Sequence, residues 1–125
     1  MSSSDEDVLQ FIAASFPSVW ALEVLLTLKG DRRYWSRDDL IATLRASEVV
    51  VSKAIDALVV AGLASIGDDG VSYLPVNRQV EECVERVEQL YRTKANVVRR
   101  VIIAANAGGM TAFANAFRLR KDRDD

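Results

Sequence analysis

The side chains that could carry catalytic or metal chemistry are few in this sequence. Histidine is absent, and Cys83 is the single cysteine. The commonest general base, the commonest metal ligand and an internal disulfide are therefore excluded. The sequence contains no nucleophile motif, no phosphate-binding loop and no metal-ligand spacing. We therefore expect no enzymatic activity, no catalytic residue, no cofactor and no metal site.

The side chains that could bind a ligand are concentrated in the stretch SEVVVSK, which begins at Ser47. Ser47 is predicted to cap a helix. Ser52 and Lys53 on that helix could contact a phosphate group or the edge of a base. Val49 could contact a thymine methyl group, or it could belong to an apolar surface that binds a protein. Both interpretations of this stretch stay open.

Basic side chains precede this stretch. The segment KGDRRYWSR contains Arg32, Arg33 and Arg37, and Arg45 lies two residues before Ser47. These arginines could hold a phosphate backbone, or they could be ordinary surface charges.

The charge of the chain is unevenly distributed. The net charge of the 125 residues is −2. From Met1 to Leu74 there are 6 basic and 11 acidic residues, whereas from Pro75 to Asp125 there are 10 basic and 7 acidic residues. The stretch that could bind a ligand therefore lies in the acidic part, which opposes simple electrostatic attraction of DNA.

Apolar spacing and capping residues predict the elements that position these side chains. Two helices are expected before Gly30. Tyr34 and Trp35 could form a short strand, and Ser36 and Ser47 each begin a further helix. The residues GDDG lie between two runs with high β-propensity and therefore predict a hairpin.

The segment from Leu44 to Ala64 resembles the pattern L-x-x-S-x-x-x-V-S-x-x-L-x-x-L-x-x-x-G-L of MarR-like and related winged-helix regulators. The resemblance covers residues 18–75 or so. It implies a mainly α fold, a winged helix-turn-helix with a small β-hairpin wing and a long C-terminal dimerisation helix. The matching positions are Leu44, Ser47, Val51, Ser52, Ile55, Leu58, Gly62 and Leu63.

In that family the third helix of the unit enters the major groove of DNA and the hairpin touches the backbone. Glu48, Val49, Ser52, Lys53 and Asp56 would then face the groove. The sequence departs from the family pattern at Val49, Val50, Asp56, Val59 and Val60, and at the acidic tip formed by Asp68 and Asp69. The resemblance implies a DNA-binding set of Arg32, Arg33, Arg37, Arg45, Ser47, Val49, Ser52 and Lys53.

A long stretch without glycine or proline runs from about Val76 to Ala107. Its apolar residues repeat as a heptad seam that Lys94 interrupts, and Val84, Tyr91, Val98 and Ile102 widen the seam. Such a stripe could pack on its own domain or on a second copy. We favour the second copy, because the preceding domain looks too small to cover it. The predicted dimer interface is Val80, Cys83, Val87, Leu90, Val97 and Val101.

The sequence thus predicts two segments. Residues 1–75 form a winged-helix domain with an N-terminal helix, and residues 76–125 form the dimerisation helix, a short terminal helix and a charged tail. We expect a sequence-specific transcriptional regulator that binds double-stranded DNA as a homodimer. The alternative is an interaction module that binds a protein partner through its valine-rich third helix. No signal-peptide pattern or membrane span is apparent, so a cytoplasmic location is expected.

Overall fold

The computed structural model describes the backbone of residues 2–106 and the side chains of residues 5–106. The fold is mainly helical with one small antiparallel sheet, as the sequence predicts at this level. The elements in chain order are α1 (Ser2–Ser15), α2 (Val19–Gly30), α3 (Arg37–Leu44), α4 (Glu48–Val60), β1 (Ala64–Gly67), β2 (Gly70–Tyr73) and α5 (Arg78–Thr93). A further helix, α6, occupies residues 95–106. The short terminal helix and charged tail that the sequence predicts lie outside the described residues.

Helix α2 lies at the centre of the hydrophobic core. Leu22, Leu25 and Leu28 are fully buried, and they share the core with Ile55 and Leu58 of α4. The spacing of three residues places these side chains on one face of each helix. Because α4 buries this face, its opposite face is left to the surface.

Serine side chains begin three of the helices. The Oγ atoms of Ser18, Ser36 and Ser47 accept hydrogen bonds from the backbone N–H groups of residues 21, 39 and 50 at 3.2, 3.0 and 3.2 Å. Each bond satisfies a donor that the first helical turn leaves without a partner. The caps that the sequence predicts at Ser36 and Ser47 are confirmed.

The predicted hairpin is confirmed, and residue 35 joins it. Strands β1 and β2 pair with Ala64 opposite Tyr73 and Gly67 opposite Gly70. Trp35 forms an isolated bridge with Val71. The distance from Trp35 N to Val71 O is 2.7 Å, and the distance from Val71 N to Trp35 O is 2.8 Å. The segment between α2 and α3 is therefore fixed to the hairpin by backbone hydrogen bonds.

The prediction of a single long helix from Val76 to Ala107 is wrong, because the helical conformation is interrupted at Lys94. The backbone there has φ −135° and ψ 56°, outside the helical region. The carbonyl of Lys94 accepts hydrogen bonds from the N–H groups of Val97 and Val98 at 3.1 and 3.2 Å, so a new helix begins. The apolar repeat continues on both sides of Lys94 without a glycine or proline, so the charged residue at this seam position is the one local irregularity at the break.

The apolar stripe of α5 and α6 packs on its own chain. The preceding domain therefore covers part of the stripe, contrary to the expectation that favoured a dimer helix. Val87 and Leu90 are buried in the core, and α5 packs against α1. Neither side chain can meet a second copy unless the core opens. The remaining seam residues, Val80, Cys83, Val97 and Val101, are half-buried. Most of the buried positions belong to the residues expected only to widen the seam: Val84, Val98 and Ile102.

The charges of α5 are also partly satisfied within the chain. Lys29 Nζ lies 2.7 Å from Glu88 Oε1 and 3.8 Å from Glu85 Oε2. Arg92 approaches Glu88 at 3.4 Å, and the Tyr91 hydroxyl donates to the carboxylate of Glu23. Glu88 is therefore paired with Lys29 and Arg92 of its own chain.

Candidate interaction surface on the fourth helix

The turn between α3 and α4 fixes the direction of α4. Arg45 follows α3 in the left-handed conformation, with φ 56° and ψ 44°. The N–H of Ala46 then donates to the carbonyl of Ile41 at 3.2 Å, and the Ser47 cap begins α4. The Oγ atom of Ser47 is therefore occupied by the helix, and its role in the structure is to orient α4.

The exposed face of α4 carries a row of two valines and two charged residues. Val49, Lys53, Asp56 and Val60 follow one another at spacings of four, three and four, which places them in one row along the helix. Val49 is 62% exposed and Val60 is 88% exposed. Ser52 beside them is half-buried. The row has an apolar residue at each end and one opposite pair of charges between them.

The C-terminal end of α4 joins other exposed apolar side chains. The N–H of Val76 donates to the carbonyl of Gly62 at 2.8 Å, and the N–H of Leu74 donates to the carbonyl of Leu63 at 3.1 Å. These bonds hold the segment after β2 beside the end of α4. Leu74 is 59% exposed and Val76 is 67% exposed. We call Val59, Val60, Leu74 and Val76 the valine patch.

A left-handed glycine makes this arrangement possible. Gly62 has φ 77°, and it follows α4 at the position where helices commonly end with such a residue. The N–H of Gly62 donates to the carbonyl of Val59, and the N–H of Leu63 donates to the carbonyl of Leu58, at 3.1 and 2.9 Å. The chain therefore turns sharply into β1, which leaves Val60 at the edge of the molecule.

An acidic groove follows the valine patch along the chain. It has a volume of about 550 Å³ and is lined by Arg78, Glu81, Glu82, Glu85 and Arg86. Val76 lies two residues before the first of these. Arg78 is already paired with Glu82, with Nε and Oε2 3.3 Å apart. Three carboxylates face two guanidinium groups in this groove. Glu85 also lies 3.8 Å from Lys29 Nζ, so Glu81 is the main source of the excess negative charge.

The structure does not bring the eight predicted DNA-binding residues into one basic surface. The guanidinium of Arg33 stacks on the Trp35 ring, 3.7 Å from its centroid, and lies 3.0 Å from Asp31 and 3.6 Å from Asp39. The guanidinium of Arg32 lies 4.9 Å from the centroid of the Tyr73 ring. Stacking leaves the in-plane N–H groups of Arg32 able to contact a phosphate, whereas a phosphate would have to compete with Asp31 and Asp39 for Arg33.

The remaining predicted cations are outnumbered. Arg37, Arg45 and Lys53 are exposed, and the structure records no ion pair for them among the described residues. On the same helices and on the hairpin turn, exposed carboxylates are more numerous. They are Asp38, Asp39, Glu48, Asp56, Asp68 and Asp69. A nucleic acid that approached this surface would meet more negative than positive charge.

Two tyrosines beside α5 have raised pKa values. The pKa of Tyr73 is raised to about 12, mainly by burial; the nearby Arg32 lowers it, and the carboxylates of Glu81, Glu85 and Glu88 raise it. Its hydroxyl is buried and has no hydrogen-bond partner among the described residues. Burial and the hydrogen bond to Glu23 also raise the pKa of Tyr91. Both hydroxyls are therefore neutral at physiological pH and cannot act as bases.

Sequence reasoning identified part of this surface and missed the rest. Val49, Val59 and Val60 were noted because they depart from the family pattern. Leu74 and Val76 were missed, because the pattern ends before them. The signal that could have identified them is an apolar residue on each side of Pro75, where the hairpin has already ended.

No single helix in residues 2–106 is long and apolar enough to cross a membrane, and only α1 and α2 taken together, bent by 106°, pass that test by length and composition. No protein-family model, curated protein or solved structure matches the chain. The functional interpretation therefore depends on the geometry of the α4 surface.

Proposed function

We propose that residues 18–75 form a winged-helix unit, and that the valine patch, to which Val76 also belongs, binds a protein partner. The order α2, bridge residue Trp35, α3, α4 and hairpin supports the winged-helix assignment. The observation that carries the binding proposal is the exposure of Val60, 88%, beside Leu74 and Val76. A cluster of exposed apolar side chains marks a surface that another molecule covers.

The energetics favour a moderate affinity. Complete burial of a valine or leucine side chain contributes ~1.5–3 kcal/mol, so the four side chains of the patch supply several kcal/mol together. Association costs at least ~4 kcal/mol in lost translational and rotational freedom. Further contacts around the rim of the patch are needed to reach a dissociation constant on the order of 1 μM.

The surrounding charges define the partner. Asp56 lies one helical turn before Val59 and Val60, and Glu81 and Glu85 line the groove that follows Val76. A partner with basic side chains around an apolar face would complement both features. We therefore propose an amphipathic helix with Lys or Arg beside its apolar stripe.

A synthetic peptide tests this proposal. The peptide places Leu on one face of a helix and Lys on the other, and the control peptide has the same composition in scrambled order. We expect the amphipathic peptide to bind the full chain with a dissociation constant on the order of 1–100 μM, and the scrambled peptide to bind at least tenfold more weakly. Equal binding of the two peptides would show nonspecific charge attraction and would contradict the proposal.

Variants place the binding surface. Val60→Ser and Val76→Ser together should weaken peptide binding at least tenfold, because each removes apolar contact area. Ile103→Ser is the matched control, because Ile103 is 59% exposed on α6 and lies outside the patch. Loss of binding in the control variant alone would place the site elsewhere.

DNA binding by a homodimeric transcriptional regulator is the second candidate. The capped turn between α3 and α4 favours it, together with the exposed cations Arg37, Arg45 and Lys53. A selection from random DNA duplexes at low salt tests this candidate. Lys53→Ala should then weaken binding to all sequences, and Val49→Ala should chiefly reduce the preference among sequences. If no sequence is enriched and Lys53→Ala changes nothing, DNA binding is excluded.

A further inference from the structure

We infer that the valine patch of one copy binds the C-terminal segment, residues 107–125, of a second copy. This inference rests on the proposed function and names the partner. The valine patch is then the contact between copies. The α5 seam is not, because its central residues Val87 and Leu90 are buried within one chain.

The composition of the C-terminal segment complements the patch and the acidic groove. Met110, Phe113 and Phe117 follow one another at spacings of three and four, which is the spacing of one helical face. Arg118, Arg120 and Lys121 come directly after this apolar stripe. An apolar stripe that continues into basic residues matches a valine patch that continues into Glu81 and Glu85.

The position of the chain end decides between the same copy and a second copy. Helix α2 runs antiparallel to α5, because Glu23 contacts Tyr91 while Lys29 contacts Glu88 and Glu85. Asn106 Nδ2 donates to the carbonyl of Phe16 at 3.4 Å, just before α2 begins. Residue 106 therefore lies next to the start of α2, on the side of the molecule toward which α5 ends, whereas Val76 precedes the N-terminal end of α5.

The distance between these two points limits which part of the segment can reach the patch of the same copy. Helix α5 has 16 residues and is about 24 Å long. Met110 can lie at most about 14 Å from residue 106, even with a fully extended chain. Met110 therefore cannot reach the patch of its own copy, although Phe117, with a reach of about 38 Å, can. The complete stripe from Met110 to Phe117 can bind only to the patch of another copy. Reciprocal exchange of the two segments closes a two-fold dimer.

Two variants of the full chain test the inference by complementation. The first, F113S with F117S, damages the segment and keeps the patch. The second, V60S with V76S, damages the patch and keeps the segment. Each alone should be at least tenfold weaker in self-association than the unaltered chain by analytical ultracentrifugation. When the two are mixed, each still offers the surface that the other lacks, so a mixed dimer should form through one intact contact.

The outcomes separate this inference from the proposed function. The inference is wrong if the mixture remains monomeric while the unaltered chain dimerises. It is also wrong if the unaltered chain is monomeric at 100 μM, which is roughly the top of the expected affinity range. In either case the variant with the damaged segment can still bind the Leu and Lys peptide, which would leave the proposed function intact. Loss of peptide binding by the V60S and V76S variant, with retention by the F113S and F117S variant, ties both activities to one patch.

Discussion

The side chain of Val76 packs directly over the α-carbon of Gly62. A Cβ atom added at residue 62 would lie 3.2 Å from both the Cβ and Cγ1 atoms of Val76. The two residues are also joined by a backbone hydrogen bond of 2.8 Å. The sharp turn after α4 and the position of the valine patch therefore depend on the same glycine.

Gly62→Ala should lower the stability of the fold. Residue 62 has φ 77°, a conformation that costs an L-residue ~1–2 kcal/mol. The added methyl group also crowds Val76, and we expect a total loss of about 2 kcal/mol. The shift of the urea midpoint at constant m-value measures this loss. Gly30→Ala is the control, because no atom lies within 4 Å of its added methyl group. A midpoint for Gly62→Ala equal to that of the unaltered chain would contradict the account.

Gly70→Ala should be more damaging than Gly67→Ala in the same hairpin. A Cβ atom at residue 70 would lie 2.5 Å from the carbonyl oxygen of Trp35, and φ there is 125°. Since the neighbour is backbone, relief requires breaking the bridge between Trp35 and Val71. We expect a loss of at least ~2 kcal/mol. No atom lies within 4 Å of a Cβ at Gly67. Equal urea midpoints for the two variants would refute this explanation.

Arg45→Gly should stabilise the chain. Arg45 is the single non-glycine residue with positive φ in the described part of the chain. Glycine adopts this conformation without the steric cost of a Cβ atom, so we expect a gain of about 1 kcal/mol. Arg45→Ala removes the same charge but keeps the strain, and it should leave thermal stability nearly unchanged. A gain of equal size in both variants would mean that loss of charge, and not relief of strain, is responsible.

Stability should fall between about pH 10 and pH 12, and Tyr73→Phe should reduce that fall. Burial raises the pKa of Tyr73 to about 12 in the folded chain, whereas tyrosine in an unfolded chain has a pKa of about 10. Above pH 10 the unfolded chain has released a proton that the folded chain retains, so rising pH favours unfolding. Urea midpoints measured from pH 8 to pH 12 test this. A curve for Tyr73→Phe identical to that of the unaltered chain would contradict it.

The same substitution tests the unsatisfied hydroxyl at neutral pH. The Tyr73 hydroxyl is buried and has no hydrogen-bond partner among the described residues, so removing it should cost nothing or should stabilise the fold. Tyr91→Phe is the contrasting variant, since it removes the hydrogen bond to Glu23. It should cost roughly 1 kcal/mol at pH 7.

Local signals predicted the first part of the fold well. Ser36 and Ser47 cap helices, Gly62 ends α4, and GDDG forms a hairpin turn. Each of these features depends on a side chain or a glycine acting within a few residues of itself, so a single sequence contains the information. The break at Lys94 has no glycine, proline or capping residue to mark it, and in the sequence Lys94 only interrupts the apolar seam.

The candidate site was only partly predictable, for a similar reason. The position of Val49 on an exposed face follows from helical spacing. The stacking of Arg32 and Arg33 on aromatic rings does not follow from spacing. Tyr73 is distant in sequence from Arg32, and the bridge to Val71 positions the Trp35 ring. Among the described residues of the predicted DNA-binding set, charge counted along the chain overstated the cations without a carboxylate partner only at Arg33, which lies close to Asp31 and Asp39.

The central claim is that the valine patch binds a basic amphipathic helix. Its most direct test is the dissociation constant of the Leu and Lys peptide for the unaltered chain and for the variant carrying Val60→Ser and Val76→Ser, measured by fluorescence anisotropy at two salt concentrations. We expect at least a tenfold weakening in the variant at both concentrations, because apolar burial is little affected by salt. Binding that is equal in the two proteins and disappears at high salt would contradict the claim.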